Sequence, residues 1–113
     1  MPFNANYATD VPTRAEVDAL TGFTLLEFGT GWCGHCQAVQ PLLATAMTDQ
    51  DIHHLKIEDG PGRPLGRSFR VKLWPTLILL RQGEELARLV RPTKAEDIAQ
   101  AMDLAGSRGA NMA

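Results

Sequence analysis

Cys33 and Cys36 are the two cysteines of this chain, and two residues, Gly34 and His35, separate them. On the first turn of a helix this spacing lets the sulfurs close a small disulfide without unfolding anything. Such a bridge is a poor staple, since the chain-entropy account gives about 3 kcal/mol for a 15-residue loop and less for a shorter one. The pair suits switching between thiol and disulfide better than holding a fold together. Its flanks fix where it sits. Residues 23–28 form a short apolar, β-rich run that reads as a buried strand. Gly29, Thr30 and Gly31 read as a turn, and residues 37–47 have the composition of a helix. Cys33 then falls at or next to a helix N-terminus, where unpaired N–H groups and the helix dipole favour a thiolate.

Metal binding is the competing use of such a pair. A tetrahedral zinc site needs two more ligands, and the other histidines besides His35 are His53 and His54. Those two are adjacent in an expected strand, so their side chains point to opposite faces. An iron–sulfur cluster would require a dimer. A C-x-x-C between a strand and a helix in an intracellular chain is more often redox-active, and that reading is preferred.

With 113 residues, one domain over residues 1–106 is expected, with a disordered tail at 107–113. A net charge of −2, with no basic run, gives no reason to expect nucleic acid as a partner. The first seven residues lack the basic and apolar regions of a signal peptide. The longest apolar run, residues 77–80, is far too short to cross a membrane. A cytoplasmic location, with the cysteines mostly reduced, is the expectation.

Along the chain, residues 4–8 are expected as a short edge strand. Thr13 and Glu16 fit a capping box that starts a helix carrying Val17 and Leu20 inward and stopping at Gly22. The strand at 23–28 and the cysteine helix follow, with Pro41 expected to kink that helix. Residues 52–58 read as a strand buried on both faces. Residues 59–64 form a loop and 65–69 a short helix. Residues 76–81 and 85–90 read as an antiparallel hairpin turning at Gln82 and Gly83. Thr93 and Glu96 form a second capping box, opening a helix with Ile98, Met102 and Leu104 or Ala105 inside. The order β-α-β-α-β-α-β-β-α gives an α/β fold, a central mixed β-sheet flanked by helices on both faces.

These features together resemble the thioredoxin family. The resemblance runs from about Thr13 to Ala105 and rests on separated matches: Glu27 and Phe28, the run from Trp32 to Cys36, Pro41, Lys56, the sequence Trp74-Pro75-Thr76, and Gly83. It implies the thioredoxin fold and a cis bond before Pro75, with that proline facing the disulfide. It implies that Cys33 attacks a substrate disulfide and that Cys36, more buried, resolves the mixed disulfide. Glu27 stands where the family places a buried aspartate, and Lys56 is its usual charged partner. A plain structural ion pair is the other reading of those two. Burial favours the protonated form of a carboxylate, which suits Glu27 to general base work. Trp32, Gly34, His35, Trp74, Pro75 and Arg91 are implied as the surface that meets substrate. Trp74 either forms an exposed aromatic rim with Trp32 or packs under the loop at 59–64.

Three departures from the family pattern stand out. His35 replaces the usual proline and gives the Cys-Gly-His-Cys of protein disulfide isomerases, which favours the thiolate and a more oxidising couple. The alternative is an exposed histidine of little effect. Gly29 to Gly31 lack an aromatic that the family often places there, so lighter packing behind the site is expected. Arg91 and Pro92 replace a glycine that lets substrates approach. The expectation is a monomeric protein-disulfide oxidoreductase, most readily a reductase, with no cofactor or metal. Its partners would be disulfide-containing clients and, by resemblance, a flavin-dependent thioredoxin reductase. The rivals are an oxidase or isomerase in an oxidising compartment and a non-catalytic binding module.

Overall fold

A computed structural model describes residues 3–104 and 106. The tail expected at 107–113, and Ala105 as a possible inner residue of the last helix, lie outside the described residues. The elements are α1 (Arg14–Asp18), β1 (Phe23–Gly29), α2 (Gly34–Ala46), β2 (His53–Glu58), α3 (Pro64–Ser68), β3 (Thr76–Arg81), β4 (Glu84–Val90) and α4 (Ala95–Leu104). The strands lie in the order β2-β1-β3-β4. β1 is parallel to β2 and antiparallel to β3, and β4 is antiparallel to β3. A parallel pair needs a long crossover, and α2 supplies it.

Strand alternation sorts the side chains into two cores. Leu25, Leu77 and Leu79 pack with Val39 and Leu43 of α2 and with Ile98 and Met102 of α4. Leu26, Phe28, Ile57, Ile78 and Leu80 pack on the other face with Val17, Leu65 and Phe69. The helices therefore cover both faces of the sheet. Truncating a leucine as deeply buried as Leu43 costs about 2–5 kcal/mol. Register then decides which polar groups share the α2 face. Leu25 pairs with His54 and Glu27 with Lys56, so Glu27, His54 and Lys56 all point toward α2.

Local chemistry sets most of the boundaries. The Thr13 hydroxyl accepts the Glu16 N–H at 3.1 Å, and the Glu16 carboxylate accepts the Thr13 N–H at 2.8 Å, which is the expected capping box. α1 ends at Asp18, before Gly22, which turns the chain into β1 with φ 72°. α2 runs on through Pro41. Gln82 and Gly83 both have positive φ, 52° and 80°, the two-residue turn that matches strand twist. A Cβ on Gly83 would also strike the Asp18 carbonyl.

Three expectations need correction. Residues 4–8 do not form a strand. One backbone bond ties them to β2, from the Ala8 N–H to the Lys56 carbonyl at 2.8 Å, and a single bond is not a ladder. α4 starts at Ala95, a residue later than a cap at Thr93 requires, because Lys94 intervenes. Leu104 is 90% exposed, so the inner face of α4 ends with Met102 among the described residues.

Candidate active site

Cys33 is the residue that caps α2. Its backbone is extended, with φ −82° and ψ 121°, and its Sγ accepts the Cys36 N–H at 3.2 Å. A sulfur thus takes the place that a serine or aspartate oxygen usually fills at a helix start. The amide and the helix dipole both direct positive potential at it. The two sulfurs are not equivalent. Cys33 keeps 8% of its surface exposed and Cys36 only 1%. Burial pushes the Cys36 thiol up to about 12, helped by its hydrogen bond with Cys33 and opposed by a bond from the Thr30 backbone. The outer cysteine is positioned to meet a partner and the inner one to stay protonated until needed.

Behind the sulfurs the packing is close, not light as the missing aromatic led one to expect. A Cβ added at Gly29 would lie 2.5 Å from Cys36 Sγ and 3.5 Å from the Tyr7 hydroxyl. Tyr7, on the segment before α1, occupies the space beside Gly29. Its hydroxyl is held protonated well above the ordinary tyrosine range, by burial first and then by the neighbouring charges of Cys36 and Glu27. The Thr30 hydroxyl is buried with no hydrogen-bond partner among the described residues.

Under Cys36 lies a polar cluster on the α2 face of β1 and β2. Glu27 is fully buried, and its Oε1 lies 2.8 Å from His54 Nε2. Its Oε2 accepts from Gln40 Nε2 at 2.8 Å. The same Gln40 nitrogen donates to the Cys36 carbonyl at 2.8 Å, while Gln40 Oε1 accepts from Lys56 Nζ at 2.9 Å. Both amide protons and the amide oxygen of Gln40 are therefore used. The expected direct pairing of Lys56 with Glu27 is corrected by this arrangement. Lys56 also donates to the Ala5 carbonyl at 3.1 Å and sits 4.6 Å from the Tyr7 ring centre, so Gln40 stands between the two charges. His54, Gln40 and Tyr7 are the site-proximal residues that sequence reasoning missed. The signal for His54 was the register, which turns His53 to solvent and His54 inward.

The outer rim joins the remaining expected residues. The Trp74–Pro75 bond is cis, and the Trp74 carbonyl lies 4.0 Å from Cys33 Sγ. Trp32 is 75% exposed and meets Trp74 edge-on, with ring centres 5.8 Å apart. Trp74 is half-buried, and its indole N–H donates to Asp59 Oδ2 at 2.8 Å. It thus forms part of the aromatic rim and is also moored to the 59–64 loop. Gly34 and His35 are exposed on the first turn of α2. Arg91 adopts φ 51°, a left-handed backbone that costs a non-glycine residue about 1–2 kcal/mol. Its Nε donates to the Trp74 carbonyl at 2.8 Å. Among the described residues, no group of three His, Cys, Asp or Glu is placed to share a metal ion.

Known proteins resemble this chain in sequence and in fold. The sequence profile of the thioredoxin family matches residues 5–104. Thioredoxin H2-1 of Oryza sativa subsp. japonica is 32% identical over 77 residues, which take in 67% of this chain and 56% of that protein. The chain thus spans little more than half of the rice protein. The thioredoxin of Mycobacterium tuberculosis is 32% identical over 89 residues, 77% of this chain and 72% of that protein. Reduced thioredoxin 2 from Pseudomonas aeruginosa PAO1 superposes with a TM-score of 0.81 at 55% identity, covering 90% of this chain and 95% of that one. With a profile match over residues 5–104 and these likenesses in sequence and structure, this chain belongs to the thioredoxin family, whose members are protein-disulfide oxidoreductases.

Proposed function

We propose that this protein reduces protein disulfides, with Cys33 as the attacking and Cys36 as the resolving residue. The observation that carries this reading is the asymmetry of the two sulfurs. Cys33 sits at the helix cap and receives the Cys36 N–H, while Cys36 is buried with its thiol pushed up to about 12. The Cys33 thiolate attacks one sulfur of a client disulfide, forming a mixed disulfide and expelling the other client sulfur as a thiolate. Cys36 then loses its proton and attacks Cys33, and the second client sulfur leaves. Two electrons pass from the dithiol to the client, and the Cys33–Cys36 bond closes.

The proton from Cys36 needs an acceptor. Glu27 takes it in this reading, which is supported by Gln40 bonding both the Glu27 carboxylate and the backbone carbonyl of Cys36. His54 donates to the other carboxylate oxygen, and Lys56 fixes the amide of Gln40. Trp32, Gly34, His35, Trp74, Pro75 and Arg91 form the surface around Cys33 that meets the client. His35 adjusts the poise of the couple toward oxidation relative to a proline at that place. A flavin-dependent thioredoxin reductase returns the electrons, and the protein works as a monomer in the cytoplasm. No helix among the described residues is long and apolar enough to cross a membrane.

The test is reduction of insulin disulfides by dithiothreitol with the protein in catalytic amounts. The wild type is expected to accelerate precipitation of the freed chain, and Cys33→Ser to lose the effect. Equal rates with and without the wild-type protein would contradict the reading.

A further inference from the structure

Arg91 is an exposed cation placed on the rim of the reactive sulfur. Its backbone N–H donates to the Pro75 carbonyl at 3.0 Å, and its Nε donates to the Trp74 carbonyl at 2.8 Å. That same carbonyl lies 4.0 Å from Cys33 Sγ. The remaining donors of the guanidinium, on its two terminal nitrogens, have no acceptor among the described residues. The ion pairs among those residues use Arg14, His54, Arg63 and Arg88, and Asp59 on the rim is taken up by the Trp74 indole. Large apolar side chains are exposed on the same rim and next to it in sequence. Trp32 is 75% exposed, and Leu73 and Val90, neighbours in sequence of Trp74 and Arg91, are each 48% exposed.

We propose that Arg91 selects clients whose disulfide carries a carboxylate beside the attacked cysteine. This rests on Cys33 being the attacking residue. A guanidinium offers two parallel N–H groups on its outer edge, which fit a carboxylate in a bidentate pair. The inner nitrogen is already tied to Trp74, so the free edge is the outer one. The bonds to residues 74 and 75 hold the group in place before a client arrives, so less ordering is lost on binding. On an apolar rim an unpaired cation of this kind discriminates by charge, favouring acidic clients and opposing basic ones. Arg91 takes no part in the electron transfer. The dithiol still supplies both electrons, and the client disulfide still becomes two thiols. Arg91 is a specificity-determining residue.

Three otherwise identical disulfide peptides, with Glu, Gln or Lys beside the attacked cysteine, test the proposal. The second-order rate constant for oxidation of the reduced full chain is measured for each by stopped-flow fluorescence. The wild type is expected to react about 5–10-fold faster with the Glu peptide than with the Gln peptide, and slowest with the Lys peptide. Raising the salt concentration should shrink the preference. Arg91→Gln and Arg91→Gly should bring the Glu-to-Gln ratio near one, whatever they do to the absolute rates. Glycine suits the left-handed backbone, so that variant keeps the fold. Equal wild-type rates for the Glu and Gln peptides, or a ratio that survives in both variants, would overturn the proposal while leaving the oxidoreductase reading intact. Failure of the wild type to reduce any of the three would overturn the reading itself, and the proposal with it.

Discussion

His54 Nε2 lies 2.8 Å from Glu27 Oε1, with both side chains fully removed from solvent. The Asn4 N–H donates to His54 Nδ1 at 2.8 Å, so Nδ1 is an acceptor and the ring proton sits on Nε2, facing the carboxylate. Replacing His54 with leucine keeps the bulk and removes that donor. Leaving a buried polar group unpaired costs about 1–3 kcal/mol, more when it is charged. His54→Leu is expected to lose at least that in urea unfolding at pH 7, and His54→Gln, which retains an N–H donor, to lose less. Unchanged stability in His54→Leu would mean that the pair is not what holds Glu27.

Gly29 bears on the inner sulfur. Because a Cβ there would lie 2.5 Å from Cys36 Sγ, Gly29→Ala must push Cys36 or α2 outward. Overpacking of this kind costs about 1–3 kcal/mol. The loss should appear in thermal unfolding of the reduced protein, together with slower closure of the Cys33–Cys36 disulfide. An alanine variant as stable and as fast as the wild type would show that the space behind Cys36 is not filled.

The inner thiol should titrate well above an ordinary cysteine. Cys36 rises from an ordinary 9.0 to about 12, chiefly through burial, so folding favours its protonated form. Stability from this source is fully present below pH 9 and is lost as pH rises toward 12. At pH 7, iodoacetamide should label Cys33 and leave Cys36 unlabelled in the native reduced protein, as read by peptide mass spectrometry. Equal labelling of both would contradict the asymmetry.

Much of this site was legible before the fold was known, and the failures share a cause. The strand at 23–28 and the cysteine helix were readable because an apolar run, a glycine turn and an N-terminal cap are local signals. The hairpin was readable from Gln82 and Gly83, adjacent turn residues that both adopt positive φ. His54 was not, because a histidine in a strand faces inward or outward according to register, and pairing of Leu25 with His54 sets that. Nothing local singles out Gln40 on α2, because its place depends on Glu27 and Lys56 both lying within reach of its amide. Tyr7 belongs to a segment without regular structure, and nothing local tells where such a segment will lie. The expected strand at 4–8 failed for a related reason, since alternation cannot reveal that only Ala8 finds a backbone partner on β2.

The mooring of Trp74 separates client contact from stability. Asp59→Ala removes the acceptor of the indole N–H and frees the ring from the loop. A hydrogen bond to a charged group contributes about 1.5–3 kcal/mol, and the half-exposed setting of Trp74 puts the expected loss near the lower end. Trp74 fluorescence, isolated in a Trp32→Phe background, should shift to the red and become more accessible to acrylamide. An unchanged spectrum would mean that Asp59 does not position the rim.

The division of labour between the cysteines is tested most directly by trapping. Cys36→Ser leaves Cys33 able to attack but removes the thiol that resolves the intermediate, so a mixed disulfide with client should accumulate. Cys33→Ser should accumulate none, because Cys36 is buried and its thiol is pushed up to about 12. The measurement is non-reducing mass spectrometry of each variant after exposure to a disulfide-bonded client. The account predicts a stable adduct at Cys33 in Cys36→Ser alone; equal adducts in both variants, or one in Cys33→Ser alone, would contradict it.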